Sequence, residues 1–154
     1  MTIEKINLDH IVESTILNLE QEALRKDIKI ESLVDKRIEV LSDFISLDII
    51  ISNYLNNAIA YSPNNSKITI SAEEVDKKIK LSVKDEGEGI PENYKDRVFE
   101  RFFRVDKGRS LNQGGTGLGL SIVKNLASTL SSPVGVENQE PNGASFWIEL
   151  DKST

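Results

Sequence analysis

The chain has 154 residues, 38% hydrophobic and 29% charged, which suits one domain spanning 1–154 with a sizeable core. A net charge of −6 argues against a nucleic-acid partner, which would ask for a basic face, and the lack of cysteine excludes disulfides and thiol chemistry. No run approaches the roughly 20 apolar residues of a membrane span, and the polar start MTIEKINLDH shows no leader, so the expectation is a soluble, cytoplasmic domain without direct membrane contact.

From Leu8 to Arg25, Ile11, Ile16 (or Thr15), Leu19 and Ala23 recur near helical spacing. This predicts an amphipathic helix capped by Asn7 or Asp9. DIKIES and RIEVLSD alternate and predict short strands. Asp43 to Tyr61 predicts a long helix stopped by SPNN. SKITISAEE and KKIKLSVKDE alternate around Val75–Lys77 and predict a hairpin, burying Ile68, Ile70, Ala72, Ile79, Leu81 and Val83. The long stretch GEGIPENYKDRVFERFFRVDKGRSLNQGG holds one short helix at most, and an irregular stretch of that size is commonly a functional lid. A helix from Gly117 to about Leu130 follows, then strands PVGVENQ and ASFWIELD joined by EPNG. Strand pairs on tight turns predict a mixed, mostly antiparallel sheet. Three helices with apolar faces can cover one side, giving an α+β two-layer sandwich.

Gly114 to Lys124 reads GGTGLGLSIVK, a glycine-rich loop opening a helix, where backbone N–H groups and the helix dipole favour phosphate. It is not the mononucleotide loop G-x-x-x-x-G-K-S/T, because Leu120 stands where lysine is needed. Nor is it the dinucleotide fingerprint, because the third glycine position is again Leu120 and no strand precedes the loop. The bland alternative is a hinge before a helix. Asn53, Asn57 and Tyr61 form an i, i+4, i+8 stripe on the second long helix, opposite Ile51, Leu55, Ala58 and Ile59. Asparagine is a poor helix former, so this stripe is either a solvated face or a neutral metal ligand beside an aromatic platform. In KDEGEGIPE, Asp85 ends a strand and Gly87 and Gly89 follow. That is a turn, or a carboxylate accepting from a ligand amine, with glycines leaving room for a flat ring.

Together NYLNNA, DEGEGIP, VFERFFR and GGTGLGLSIV resemble, in order and spacing, the catalytic ATP-binding domain of sensor histidine kinases of two-component systems. These belong to the superfamily of gyrase, the Hsp90 chaperones and MutL. The resemblance covers about Leu8 to Leu150. It implies that Asn57 is the Mg²⁺ ligand, with Asn53 beside it near the phosphates of ATP. Tyr61 would pack on adenine and Asp85 accept from its amino group, while Gly87, Gly89 and Ile90 shape the pocket. Phe99, Phe102 and Phe103 match the base of an ATP lid over about 100–114. Arg104 would reach the γ-phosphate, with Arg101 and Lys107 as weaker candidates. Gly115, Thr116, Gly117, Leu118 and Gly119 would form the second glycine box. Many members carry Lys or Arg where this chain has Ala60, which predicts weaker nucleotide binding unless Lys107 or Arg109 compensates.

Asn53 separates the chemistries. Hydrolysing members and anti-sigma serine kinases carry glutamate at this position, since water and serine hydroxyls benefit from a general base. Neutral imidazole already offers a lone pair, so Asn53 favours transfer to histidine. The only histidine, His10, sits in LDHIVES and not in a motif like H-E-L-R-T-P, which predicts a surface residue and not the phosphoacceptor. The expected acceptor is a histidine on a separate dimerisation domain, with a response-regulator receiver downstream. The isolated chain is expected to be monomeric and unable to autophosphorylate. Alternatives are an anti-sigma-type serine kinase, a hydrolysing ATPase and a degenerate nucleotide-binding interaction module.

Overall fold

Alternation of apolar and polar residues organises the sheet, and the computed structural model describes residues 1–101, 103 and 119–153 of the chain. The strands are β1 (Ile3–Asn7), β2 (Lys29–Ser32), β3 (Glu39–Asp43), β4 (Lys67–Val75), β5 (Lys78–Lys84), β6 (Val134–Asn138) and β7 (Ala144–Lys152). The helices are α1 (Leu8–Asn18), α2 (Glu20–Arg25), α3 (Phe44–Tyr61) and α4 (Gly119–Leu130). The sheet order is β1-β3-β7-β5-β4-β2, with β6 also paired to β7. One edge of β7 is shared: β6 lies along Ala144–Ile148 and β3 along Asp151 and Lys152. Among the described strands only β2 and β4 run parallel, so the sheet is mixed and mostly antiparallel, as expected.

Because side chains alternate across a strand, Ile68, Ile70, Ile79, Leu81, Val83, Phe146, Ile148 and Leu150 all point to one face and are buried. Leu47, Ile50, Ile51, Leu55 and Ala58 of α3 join them in one core with Leu8, Ile11 and Val12 of α1 and Val123 and Ala127 of α4. Each fully buried Leu, Ile or Val side chain among these contributes about 1.5–3 kcal/mol. The α3 axis is pinned by Tyr54, whose hydroxyl donates to the Trp147 carbonyl at 2.8 Å. The opposite face of the sheet is polar, with Trp147 lying against Gly135 and the Lys80 ammonium 4.9 Å above the indole.

Several boundaries differ from expectation. β1 was not predicted, because in IEKIN only Ile6 is buried and the strand is held by pairing with β3 at the sheet edge. The first helix is interrupted at Leu19. Asn7 caps it, accepting from the His10 N–H at 3.1 Å. Of the paired alternatives, Thr15 is the buried one, and it satisfies its hydroxyl on the Ile11 carbonyl. Ala72 is only half-buried. Asp43 is the cap of α3, not its first turn, accepting from Ser46 N–H at 3.0 Å. The stretch after Asp85 contains two 3-10 turns, Glu92–Tyr94 and Arg97–Phe99, where one short helix at most was expected. No helix among the described residues is long and apolar enough to cross a membrane.

Candidate functional site

The polar stripe of α3 follows from its apolar one. Once Leu47, Ile51, Leu55 and Ala58 turn into the core, Asn53, Asn57 and Tyr61 must line a partly buried margin. The Asn53 amide donates to the Ile49 carbonyl at 3.0 Å. Its Oδ1 lies 3.0 Å from where a Cβ on Gly119 would stand, which sets the stripe against the first residue of α4. The Asn57 amide makes no hydrogen bond among the described residues. Among those residues no group of three or more His, Cys, Asp or Glu gathers into a cage for a metal. A half-buried, unpartnered amide suits an ion that takes one or two protein ligands and completes its shell with water and phosphate.

At the other end of the stripe, β5 delivers Asp85, 6% exposed. Its Oδ1 accepts from the Gly87 N–H at 2.9 Å and the Ala144 N–H at 3.1 Å. Oδ2 has no partner among the described residues. Burial raises this carboxyl above its ordinary value of 3.8, and the two amides pull the other way. Gly87 is required here, because a Cβ would lie 2.6 Å from the Tyr61 carbonyl oxygen. The glycine loop is thereby locked to the C-terminus of α3. A cleft of about 450 Å³ opens beside that junction, lined by Lys26, Ala60, Tyr61, Gly87, Glu88 and Asn142 among others, but not by Asp85, Ile90 or Asn57.

Gly89 and Ile90 follow in the same loop and are held from the β6–β7 turn. Ile90 N–H donates to Asn138 Oδ1 at 2.7 Å, and Asn138 Nδ2 donates to the Ile90 carbonyl at 2.8 Å. Asn142 Nδ2 donates to the Glu86 and Gly87 carbonyls at 2.7 and 3.3 Å. Gly143, at φ +108, backs onto the Asp85 carbonyl, where a Cβ would stand 2.0 Å away. The sequence reading missed these residues and treated EPNG as a turn alone. The available signal was Asn142 inside that turn and Asn138 two residues before it, but nothing local says what they face.

The base of the expected lid is anchored by Phe99, buried edge-on to Phe146 at 6.2 Å. Phe103 stacks edge-on to Tyr94 at 5.3 Å under the Arg97 guanidinium at 4.7 Å. Phe102, Arg104, Lys107, Arg109, Gly115, Thr116, Gly117 and Leu118 lie outside the described residues, as does most of the lid. His10 is exposed on α1.

A mixed sheet with helices on one face and a polar helical stripe turned to the start of α4 is the architecture of histidine kinase catalytic domains. The solved catalytic domain of histidine kinase ThkA superposes with a TM-score of 0.86 at 28% identity, covering 99% of this chain and 97% of that one. Full-length ShkA in complex with AMPPNP matches with a TM-score of 0.86 at 26% identity, over 100% of this chain and 32% of that one. The chain belongs to the family of histidine kinase-, DNA gyrase B- and HSP90-like ATPases, matched over residues 42–154. It is 37% identical over 148 residues to the sensor-like histidine kinase SenX3 of Mycolicibacterium smegmatis, a match that takes in 96% of this chain and 38% of that relative. It thus spans less than half of that protein's length. Family and fold together make this a domain of the histidine kinase-like ATPase type.

Proposed function

We propose that this domain binds Mg·ATP and donates the γ-phosphoryl group to a histidine on a separate dimerisation domain of a two-component sensor kinase. The observation that carries the reading is Asp85. It is a buried carboxylate with one oxygen saturated by backbone amides and the other without a partner among the described residues. That second oxygen suits the exocyclic amine of adenine, which donates and does not accept. Tyr61 and Ile90 supply apolar walls for the base, and the backbone at Gly87 and Gly89 leaves room for a flat ring.

Asn57 and Asn53 face the triphosphate in this reading, with Asn57 holding Mg²⁺. The ion supplies charge neutralisation across the β- and γ-phosphate oxygens. The start of α4, where backbone N–H groups and the helix dipole favour anions, is assigned to the phosphates, and Arg104 to the γ-phosphate. Asn53 orients without taking a proton, which suits an imidazole nucleophile over water or serine. In this reading a response-regulator receiver is the downstream partner, and the domain is the cytoplasmic portion of a membrane-bound sensor kinase. Calorimetry with ADP tests the binding half, with Mg²⁺-dependent heat expected. Supplying a histidine-bearing hairpin with ATP tests the transfer half: acid-labile phosphohistidine on the hairpin is expected. Phosphate release without phosphohistidine would instead identify a hydrolase.

A further inference from the structure

Asn138 and Asn142 lie 48 to 56 positions from the loop they hold, and the bonds they make belong to no strand ladder. Asn138 satisfies both the N–H and the carbonyl of Ile90, so one side chain imitates a paired strand residue. Asn142 gathers the carbonyls of Glu86 and Gly87. Between them the loop contains two glycines, Gly89 with φ +82, and a glycine-rich loop has the most conformational freedom to lose. Besides the close approach of Gly87 to α3 and the Lys67 N–H on Glu86 Oε1 at 2.8 Å, the loop is anchored by side chains from the hairpin that joins β6 and β7.

The consequence reaches Asp85. Turning Glu86 and Gly87 carbonyls toward Asn142 sends the Gly87 N–H back to Asp85 Oδ1. With Ala144 N–H on the same oxygen, the carboxylate plane is fixed and Oδ2 keeps one orientation. Asn138 does the same for Ile90 at the far end. We infer that Asn138 and Asn142 are positioning residues for base recognition, setting the Asp85–Ile90 loop before a purine enters. Preorganisation of this kind removes an ordering cost from binding. The inference rests on the reading that the site around Asp85 takes an adenine nucleotide. Asparagine is needed at both places: aspartate at 138 cannot donate to the Ile90 carbonyl, and alanine at 142 donates nothing.

The test compares calorimetric affinities for Mg·ADP and Mg·IDP, whose hypoxanthine lacks the exocyclic amine, in wild type, Asn138→Asp and Asn142→Ala. ADP affinity is expected to fall roughly tenfold in each variant, with IDP affinity changed less than about twofold, so that base selectivity collapses. A merely structural role would lower both affinities by one factor, and that result overturns the inference. Unchanged ADP affinity overturns it as well. Asn142 is exposed and outside the ladders, so Asn142→Ala alone decides the matter if Asn138→Asp does not fold. If wild type binds neither nucleotide, the adenine reading itself fails. If wild type binds ADP and the variants match it, only the role of the asparagines is wrong.

Discussion

Asp85 carries opposing demands at the scale of one residue. A buried carboxylate is costly to ionise, and burial raises its pKa against the pull of the Gly87 and Ala144 amides. A raised folded pKa means that the favourable protonated contribution is complete below the unfolded value near 3.8 and is lost as pH rises through the folded one. Asp85→Asn keeps an Oδ1 acceptor for both amides and removes the charge. The variant is therefore expected to match or exceed wild-type stability at pH 7, with the advantage vanishing below the unfolded pKa in denaturant titrations. Its ADP affinity should move the other way. Replacing the free acceptor with an amide donor costs about 1.5–3 kcal/mol for a hydrogen bond to a charged group, roughly 10–100-fold by calorimetry. Ala60 makes a second residue-scale case. The nearest cation the described residues bring to it is Lys26, whose ammonium donates to the Ile59 and Ala60 carbonyls at 2.8 and 3.1 Å, an arrangement that complements the dipole at the end of α3. Ala60→Lys is expected to tighten Mg·ADP binding several-fold, as one added charge-assisted contact would; unchanged affinity would show that no base is missing there.

Elements show which signals in the sequence were strong. The helix α3 was legible because its core stripe and its asparagine stripe both keep helical spacing, and the β4–β5 hairpin because Ile68, Ile70, Ile79, Leu81 and Val83 alternate. β1 was illegible because an edge strand with one buried residue has no hydrophobic pattern; its evidence is the ladder to β3. The Asp85 cluster looked like an ordinary turn for a similar reason, since Ala144, Asn138 and Asn142 meet it only through the sheet. Local turn chemistry also hides one strained place. Asp76 and Lys77, joining β4 and β5, have φ of 50 and 67, the left-handed pair of a two-residue hairpin that prefers glycine second. Both are exposed and sit at the opposite end of β5 from Asp85. Lys77→Gly should stabilise the domain by about 0.5–1 kcal/mol, raising Tm by about 1–4 °C in calorimetric melting, with ADP affinity unchanged.

In the proposed reaction the nucleophile comes from outside the residues described at the site. The stripe from Asn53 to Tyr61 offers amides and a phenol, and the sole histidine is exposed on α1 at the cap contact with Asn7. The relative SenX3 extends well beyond the matched region, so in the proposed reaction a histidine-bearing hairpin belonging to the same longer kind of protein would be held close by its tether. A short flexible link keeps such a partner at an effective concentration on the order of millimolar. Mixing the isolated domain with a separate hairpin at micromolar concentration forfeits that advantage. Transfer in trans is therefore expected to be about 100–1,000-fold slower than in a linked protein. Its initial rate should rise in proportion to added hairpin without saturating in the micromolar range, as measured by phosphohistidine formed at saturating Mg·ATP. Saturation at low micromolar hairpin would mean that the catalytic domain carries a docking surface strong enough to act without the tether. Phosphate appearing at a rate independent of hairpin would mean that water is the acceptor, and that the amide at Asn53 does not set the choice of nucleophile.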